Sequence, residues 1–202
     1  MKLTNKELNT KKKLIDFEVI IQSLYEKGKI KAPIHLSGNN EDQLIKIFRK
    51  INSTDWVVSN WRSHYHALLH GIPEIWLKKR IIEGRSMGIN SKRYKFYSSS
   101  IVGGGLPIAL GLAMSIKKKK LKEKVFVFIG DMTFETGIFY ETYKYSKNFN
   151  LPIKYVVEDN GLSTNTPTKF TWNKTQKAPK DIIYYKYKRK FPHHGTGNWV
   201  LF

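Results

Sequence analysis

The sequence predicts an α/β fold with a mostly parallel sheet flanked by helices, and two observations favour it. Residues 124–130 (KVFVFIG) form an unbroken apolar run, as expected of a strand buried on both faces of a parallel sheet. An amphipathic segment at 137–149 and a second β-branched run at 153–157 follow it. Strand, turn, helix and strand in this order form a βαβ unit, whose two strands run parallel.

The first half of the chain carries weaker patterns that favour helices. Apolar spacing predicts three helices and one short buried strand there, in the order helix 1–28, helix 40–51, strand 55–59 and helix 72–82. Gly28 and Gly84 end the outer two helices. A further helix of small apolar residues is predicted at 106–116, after three consecutive glycines. With no repeat or linker, we interpret 1–34 as an N-terminal helical extension and 35–202 as one α/β domain.

Composition excludes several classes of protein. The 202 residues include no cysteine, which excludes a disulfide scaffold, a cysteine zinc finger and a thiol nucleophile. No apolar run approaches the ~18–20 residues that a membrane helix needs. The first 20 residues lack the apolar stretch of a signal peptide. We therefore expect a cytoplasmic protein that makes no use of a membrane.

The chain is strongly basic, with a formal net charge of +20. Such a charge is typical of nucleic-acid binding. However, the basic residues are 30 lysines and only 6 arginines, mostly scattered, whereas readers of bases and phosphates favour arginine. A solvated lysine-rich surface is the first interpretation, and attraction to anionic substrates or an acidic partner subunit is the second. Nucleic-acid binding ranks below both.

Polar residues follow the two strands of the βαβ unit. Asp131 comes directly after the first strand, and Asn160 follows the second. In a parallel sheet these two strand ends lie at the same edge. Carboxylate and amide oxygens suit Mg²⁺, which completes its octahedron with water and phosphate oxygens. Asp131 alone is equally typical of a helix N-cap, but the pair predicts a metal and phosphate site.

Five ordered segments add a resemblance to a known family. They are WRSH at 61–64 with HG at 70–71, GRSM at 84–87, SIVGGGLPIALG at 100–111, GDMTFETGIFYE at 130–141 and LPIKYVVEDN at 151–160. Together they resemble the thiamin-diphosphate-dependent superfamily of transketolases and 2-oxo-acid dehydrogenases, most closely the α-type E1 subunit. The resemblance runs from about His35 to Thr166. It implies the diphosphate-binding (PP-domain) type of α/β fold.

The resemblance also implies cofactors and the residues that hold them. Thiamin diphosphate would be held with Mg²⁺, whose ligands would be Asp131, Asn160 and the carbonyl of Leu162. Arg62 would grip the diphosphate, and Trp61 stands where the family often has tyrosine. The remaining cofactor-binding positions implied by the match are Ser100, Val102 and Met132.

Four histidines are candidates for catalysis on the same basis. His70 matches an active-site histidine of one branch of the family, and His35, in a segment before a helix, would face the substrate entrance. The segment 182–187 resembles a compressed last strand. Following it, His193 and His194 form a shortened counterpart of the family's histidine-bearing loop or, as an equal alternative, an ordinary polar turn.

Two departures from the family pattern stand beside these matches. Met132 replaces the last glycine of the usual GDG motif, and Arg85 replaces a glycine of GGSM. The α-type subunit also continues further at its C-terminal end.

In the family, the glutamate that activates the cofactor comes from a separate pyrimidine-binding unit, so the resemblance implies a β-type partner subunit and a hetero-oligomer.

The implied reaction is decarboxylation of a small-molecule 2-oxo acid followed by acyl transfer. A split transketolase-like ketol transfer is the alternative within the superfamily. Outside enzymes, the alternatives are a degenerate cofactor-binding protein and a nucleic-acid-binding protein.

Overall fold

The computed structural model describes residues 3–174 and 176–201, and its centre is a six-stranded sheet in the order β2-β3-β1-β4-β5-β8. The strands are β1 Trp56–Ser59, β2 Asn90–Ser91, β3 Phe96–Ser98, β4 Val125–Gly130, β5 Ile153–Asp159 and β8 Ile183–Lys186. All neighbouring pairs of this sheet run parallel except β2 with β3. A separate antiparallel ribbon pairs β6 Leu162–Ser163 with β7 Thr166–Pro167. The predicted fold class is confirmed.

Helices cover both faces of the sheet. They are α1 Asn5–Glu26, α2 Glu41–Phe48, α3 His64–Leu69, α4 Glu74–Ile82, α5 Gly105–Lys118, α6 Asp131–Phe134, α7 Gly137–Asn148 and α8 Thr168–Trp172. Because side chains alternate along a strand, Val57 belongs to one hydrophobic cluster and Val58 to another. The first cluster includes residues of α1 to α4, and the second includes residues of α5 and α7.

The βαβ unit is observed where the sequence predicts it. Strands β4 and β5 pair in parallel from Val125 with Ile153 to Gly130 with Glu158. The compressed last strand is also observed, because β8 pairs in parallel with β5. The short elements α3, β2, β3, α6, α8 and the β6–β7 ribbon were not predicted. Helix α2 is shorter than predicted and ends at Phe48.

Helix α1 packs on the sheet's first hydrophobic cluster through Leu14, Phe17 and Ile21. Its Glu18 is buried on the same face, where Oε1 accepts a hydrogen bond from the Ser37 amide at 2.8 Å. No helix among the described residues combines the length and the apolar character that crossing a membrane requires.

The order of the strands creates one crevice. Strands β1 and β4 are neighbours, and the connection after β1 leads to one side of the sheet whereas the connection after β4 leads to the other. Ligands of open α/β sheets bind beyond the carboxyl ends of the strands at such a point. The segments that follow β1 and β4 begin at Asn60 and Asp131, respectively.

Candidate functional site

A pocket of about 600 Å³, counting its open entrance, lies beyond the carboxyl ends of β1, β4 and β5. Its lining includes most of the residues predicted to hold a cofactor, namely Trp61, Arg62, Val102, Asp131, Met132, Asn160 and Leu162. The structure therefore brings together segments that lie up to 101 positions apart, from Trp61 to Leu162.

Asp131 leaves one carboxylate oxygen without a partner in the wall of this pocket. It is the first residue of α6 and is 4% exposed. Thr168 donates a hydrogen bond to Oδ2, whereas Oδ1 is buried and has no hydrogen-bond partner. Burial raises the pKa of Asp131 more than the Thr168 hydrogen bond lowers it, and the charge of Asp159 raises it further. A bound cation would satisfy Oδ1 and stabilise the charged form.

Asn160 and Leu162 form a tight turn at the end of β5. The amide of Leu162 donates to Asn160 Oδ1 at 3.0 Å, and Gly161 between them has a positive φ of 73°. An amide oxygen has two acceptor sites, so Asn160 Oδ1 can also contact a cation. No group of three His, Cys, Asp or Glu side chains in 3–174 and 176–201 could hold a metal. A metal ion here would be coordinated by one carboxylate and by neutral oxygens.

Trp61 and Arg62 place hydrogen-bond donors in the same pocket. The indole Nε1 of Trp61 is buried without an acceptor. Arg62 donates from Nε to the Leu36 carbonyl at 3.0 Å and from Nη2 to the His193 carbonyl at 3.2 Å, which fixes its guanidinium. The unpartnered Trp61 donor and the unpartnered Asp131 oxygen belong to residues that line one pocket, which fits an anion bound together with a cation. The residues present therefore fit a magnesium diphosphate group.

Two of the predicted histidines meet beside this pocket. His193 lines it, and its ring centroid lies 4.8 Å from that of His35. Burial lowers the pKa of His35 to about 3, and the charge of Arg62 adds to this effect. Burial, followed by the charge of Arg62, also lowers the pKa of His193. Both rings are therefore neutral at pH 7, and His35 Nδ1 is buried without a partner.

Four predicted site residues do not line the pocket: His35, which packs against His193, and three others. His70 faces the opposite edge of the sheet, because Nε2 hydrogen-bonds the carbonyl of Asp55, which precedes β1. Ser100 and His194 are exposed, and neither lines the pocket. The assignment of these three side chains to the site stays a prediction, since a match of short segments does not show on which side of the chain a residue points.

The bulk of Met132 is accommodated at the pocket. Its sulfur accepts a hydrogen bond from Trp172 Nε1 at 3.0 Å. The second departure from the family pattern, Arg85, is exposed and lies outside the pocket lining.

Sequence reasoning missed other pocket residues, among them Arg189, Asn40 and Glu158. Arg189 donates to the Thr164 carbonyl at 2.7 Å, and burial with the charge of Arg62 lowers its pKa. Burial acts to raise the pKa of Glu158, but His66 beside it and its hydrogen-bond donors hold that pKa below its usual value. Glu158 carried a signal, since it stands two residues before Asn160 at the end of the strand.

Comparison with known proteins agrees with this arrangement. The sequence model described as "Dehydrogenase E1 component" matches residues 9–184. The chain belongs to this family. It is 26% identical to the alpha subunit of acetoin:2,6-dichlorophenolindophenol oxidoreductase of Cupriavidus necator, over 75% of this chain and 48% of that one. It is 30% identical to the pyruvate dehydrogenase E1 alpha subunit of Porphyra purpurea, over 72% of this chain and 47% of that one.

The matched region makes up a larger share of this chain than of its relatives. The chain spans about half the length of these two curated family members, and 38% of a 29% identical chloroplastic pyruvate dehydrogenase E1 alpha subunit of rice. A solved structure assigned to a thiamin diphosphate-dependent enzyme of Mycobacterium smegmatis matches 68% of this chain and 23% of its own, with a TM-score of 0.47 and 20% identity.

Proposed function

We propose that this chain forms the diphosphate- and Mg²⁺-binding half of the active site of a thiamin-diphosphate-dependent E1-type enzyme. The observation that carries the proposal is that two residues lining one pocket each have a buried polar atom without a hydrogen-bond partner. These atoms are Asp131 Oδ1 and Trp61 Nε1. The first requires a cation or a donor and the second requires an acceptor. A magnesium diphosphate supplies both.

Each side chain then has one binding task. Asp131, Asn160 and the carbonyl of Leu162 hold Mg²⁺, whose hard-oxygen preference matches this donor set. Arg62 and Trp61 hold the diphosphate, to which the planar guanidinium offers parallel N–H donors. Val102 and Met132 contribute apolar surface to the pocket lining. Thiamin diphosphate, when bound, supplies the nucleophilic carbon and stabilises the carbanion formed from a 2-oxo acid.

The histidines act at the substrate entrance. Because burial keeps His35 neutral, its unpartnered Nδ1 offers a hydrogen-bonding position without a charge. His193, which is partly exposed at the pocket, is the residue of this pair that substrate can reach. We assign His193 to binding and orienting the substrate during decarboxylation and acyl transfer, and His35 to positioning the His193 ring.

We propose further that the active enzyme is a hetero-oligomer with a β-type, pyrimidine-binding partner. The support is that the curated relatives are named as alpha subunits. The net charge of +20 suits an acidic partner surface, because complementary charge steers association.

The test is calorimetric titration of thiamin diphosphate into the full chain, with Mg²⁺ and then with EDTA. Wild type is expected to bind only with Mg²⁺, and Asp131→Ala is expected to bind in neither buffer. Asp181→Ala is the matched control, because Asp181 pairs with Lys147 outside the pocket and its loss leaves binding unchanged. Absence of Mg²⁺-dependent binding in wild type, or unchanged binding in Asp131→Ala, overturns the proposal.

A further inference from the structure

Asn40, which directly precedes α2, is a buried residue in the wall of the pocket that neither the motifs nor the proposed binding roles use. Its side chain lines the pocket, and the residue is 3% exposed. The amide nitrogen Nδ2 lies 3.2 Å from Glu158 Oε1 and 3.3 Å from the hydroxyl of Tyr185. The amide oxygen Oδ1 has no hydrogen-bond partner.

Glu158 fixes which way the Asn40 amide points. Its Oε1 also receives the hydroxyl hydrogen of Tyr185 and lies 3.3 Å from His66 Nε2. A carboxylate oxygen surrounded in this way accepts hydrogen bonds, so it faces the nitrogen of the Asn40 amide and not its oxygen. The opposite rotamer would bring two acceptor oxygens together. Oδ1 is therefore the polar atom of Asn40 that remains available to a ligand in the pocket.

Asn40 and Glu158 lie beside the end of β4, where the proposed Mg²⁺ ligand Asp131 follows. Glu158 is the register partner of Gly130, which directly precedes Asp131. A buried amide oxygen without a donor lowers stability, so its retention in a ligand pocket points to a donor that arrives with the ligand. Phosphate oxygens are acceptors and do not satisfy it.

We propose that Asn40 is a ligand-contacting residue whose carbonyl oxygen accepts a hydrogen bond from an N–H or O–H group of the bound magnesium diphosphate ligand, with Glu158 as its positioning residue. The inference rests on the proposed function. The donor comes either from a water on the cation or from the organic part of thiamin diphosphate. Magnesium pyrophosphate carries only the first kind, which separates the two sources.

The experiment titrates Mg²⁺-pyrophosphate and Mg²⁺-thiamin diphosphate into the full chain and into three variants. Asn40→Leu removes both polar atoms at similar volume, and Asn40→Thr keeps a hydroxyl donor for Glu158. Tyr185→Phe is the matched control from a residue outside the pocket lining. It removes a donor to Glu158 Oε1 and one acceptor of Asn40 Nδ2, while the Glu158 contact that orients the Asn40 amide remains. A thermal unfolding midpoint for each variant reports folding.

Both Asn40 variants are expected to bind about fivefold to tenfold more weakly, the effect of one lost hydrogen bond. Tyr185→Phe is expected to lower the unfolding midpoint and leave affinity within about twofold. Weakening with both ligands assigns the donor to a water on the cation, and weakening with thiamin diphosphate alone assigns it to the organic part.

Unchanged affinity in both Asn40 variants overturns the inference while leaving the proposed function intact. Equal weakening in Tyr185→Phe also overturns it, because Asn40 would then act only by supporting the buried network. Wild type that binds neither ligand with Mg²⁺ overturns the proposed function and this inference together.

Discussion

The indole ring of Trp61 and the imidazole of His193 lie 6.1 Å apart, edge to face at 77°. His35 packs against both rings, at 6.1 Å from Trp61 and 4.8 Å from His193. These contacts join the segment after β1 to the C-terminal segment. They hold the Trp61 ring by packing, while its Nε1 remains without an acceptor.

Trp61→Phe is expected to separate ligand binding from packing. Phenylalanine keeps an aromatic ring but has no N–H, so affinity for magnesium diphosphate is expected to fall about fivefold to tenfold. Apart from the effect of the smaller ring on packing, the unfolding midpoint of the ligand-free chain is expected to change little, since no intramolecular hydrogen bond is lost. Calorimetric titration and thermal unfolding measure the two effects. Trp199→Phe, at a 90% exposed position, is the control, and equal affinity in both variants would contradict the assignment.

Asp131→Asn is expected to stabilise the ligand-free chain. Burial raises the pKa of Asp131, so the carboxylate's contribution to stability falls as pH rises from its unfolded pKa through its folded pKa. At pH 7 the neutral amide avoids this penalty, and the free energy of unfolding is expected to rise. Thermal unfolding in EDTA measures it.

Addition of Mg²⁺ and thiamin diphosphate is expected to make wild type more stable than Asp131→Asn. Only the wild-type carboxylate binds the cation, and a ligand that binds the folded state alone raises its unfolding midpoint. A variant that is less stable than wild type in EDTA, or that gains equally from the ligand, would show that Asp131 has a structural role instead.

His35 is expected to make the chain sensitive to mild acid. Its pKa is lowered to about 3, below the unfolded value, so its contribution to stability is present above pH 6.5 and is lost as pH falls towards 3. Between pH 7 and pH 5 the loss is about 2 kcal/mol for this one group. Denaturant unfolding at both pH values should show a shallower pH dependence in His35→Gln. His194→Gln, at an exposed position, should keep the wild-type dependence.

Glu18 is expected to be the polar residue of α1 on which stability depends most. Its carboxylate contacts His64 Nδ1 at 3.1 Å in addition to the Ser37 amide. Glu18→Ala leaves these buried groups without a partner, and the free energy of unfolding is expected to fall by about 3 kcal/mol. Asp16→Ala on the same helix removes only an exposed ion pair with Lys12 and should change it by less than about 0.5 kcal/mol. Equal losses in the two variants would contradict this expectation.

The sheet and the strand-end residues were predictable because each rests on a local pattern. The run at 125–130 is apolar on both faces, and Asp131 follows it directly in the chain. Adjacent parallel strands end at the same edge, so the meeting of Asp131 with Asn160 followed from topology alone. The short elements α3 and β3 span six and three residues, which is too few for periodicity to show.

The polar network around the pocket was not predictable, because it joins residues that are distant in the chain. Asn40 and Glu158 are 118 positions apart, and their contact depends on where α2 packs against the sheet. The position of His70 illustrates the converse. It follows a helix of only six residues, and the rotation of that helix turns its side chain towards Phe48 and Asp55 at the opposite edge.

The clamp on Arg62 has a consequence for the order in which the site forms. Its guanidinium is held by carbonyls of Leu36 and His193, and Gly195 donates from its amide to the Ile34 carbonyl at 2.9 Å. During synthesis, the sheet residues up to Asp159 leave the ribosome before His193 does. The nascent chain can therefore form its βαβ core early, whereas the anion-binding arginine acquires its final geometry only when residues 193–195 dock beside residues 34–36.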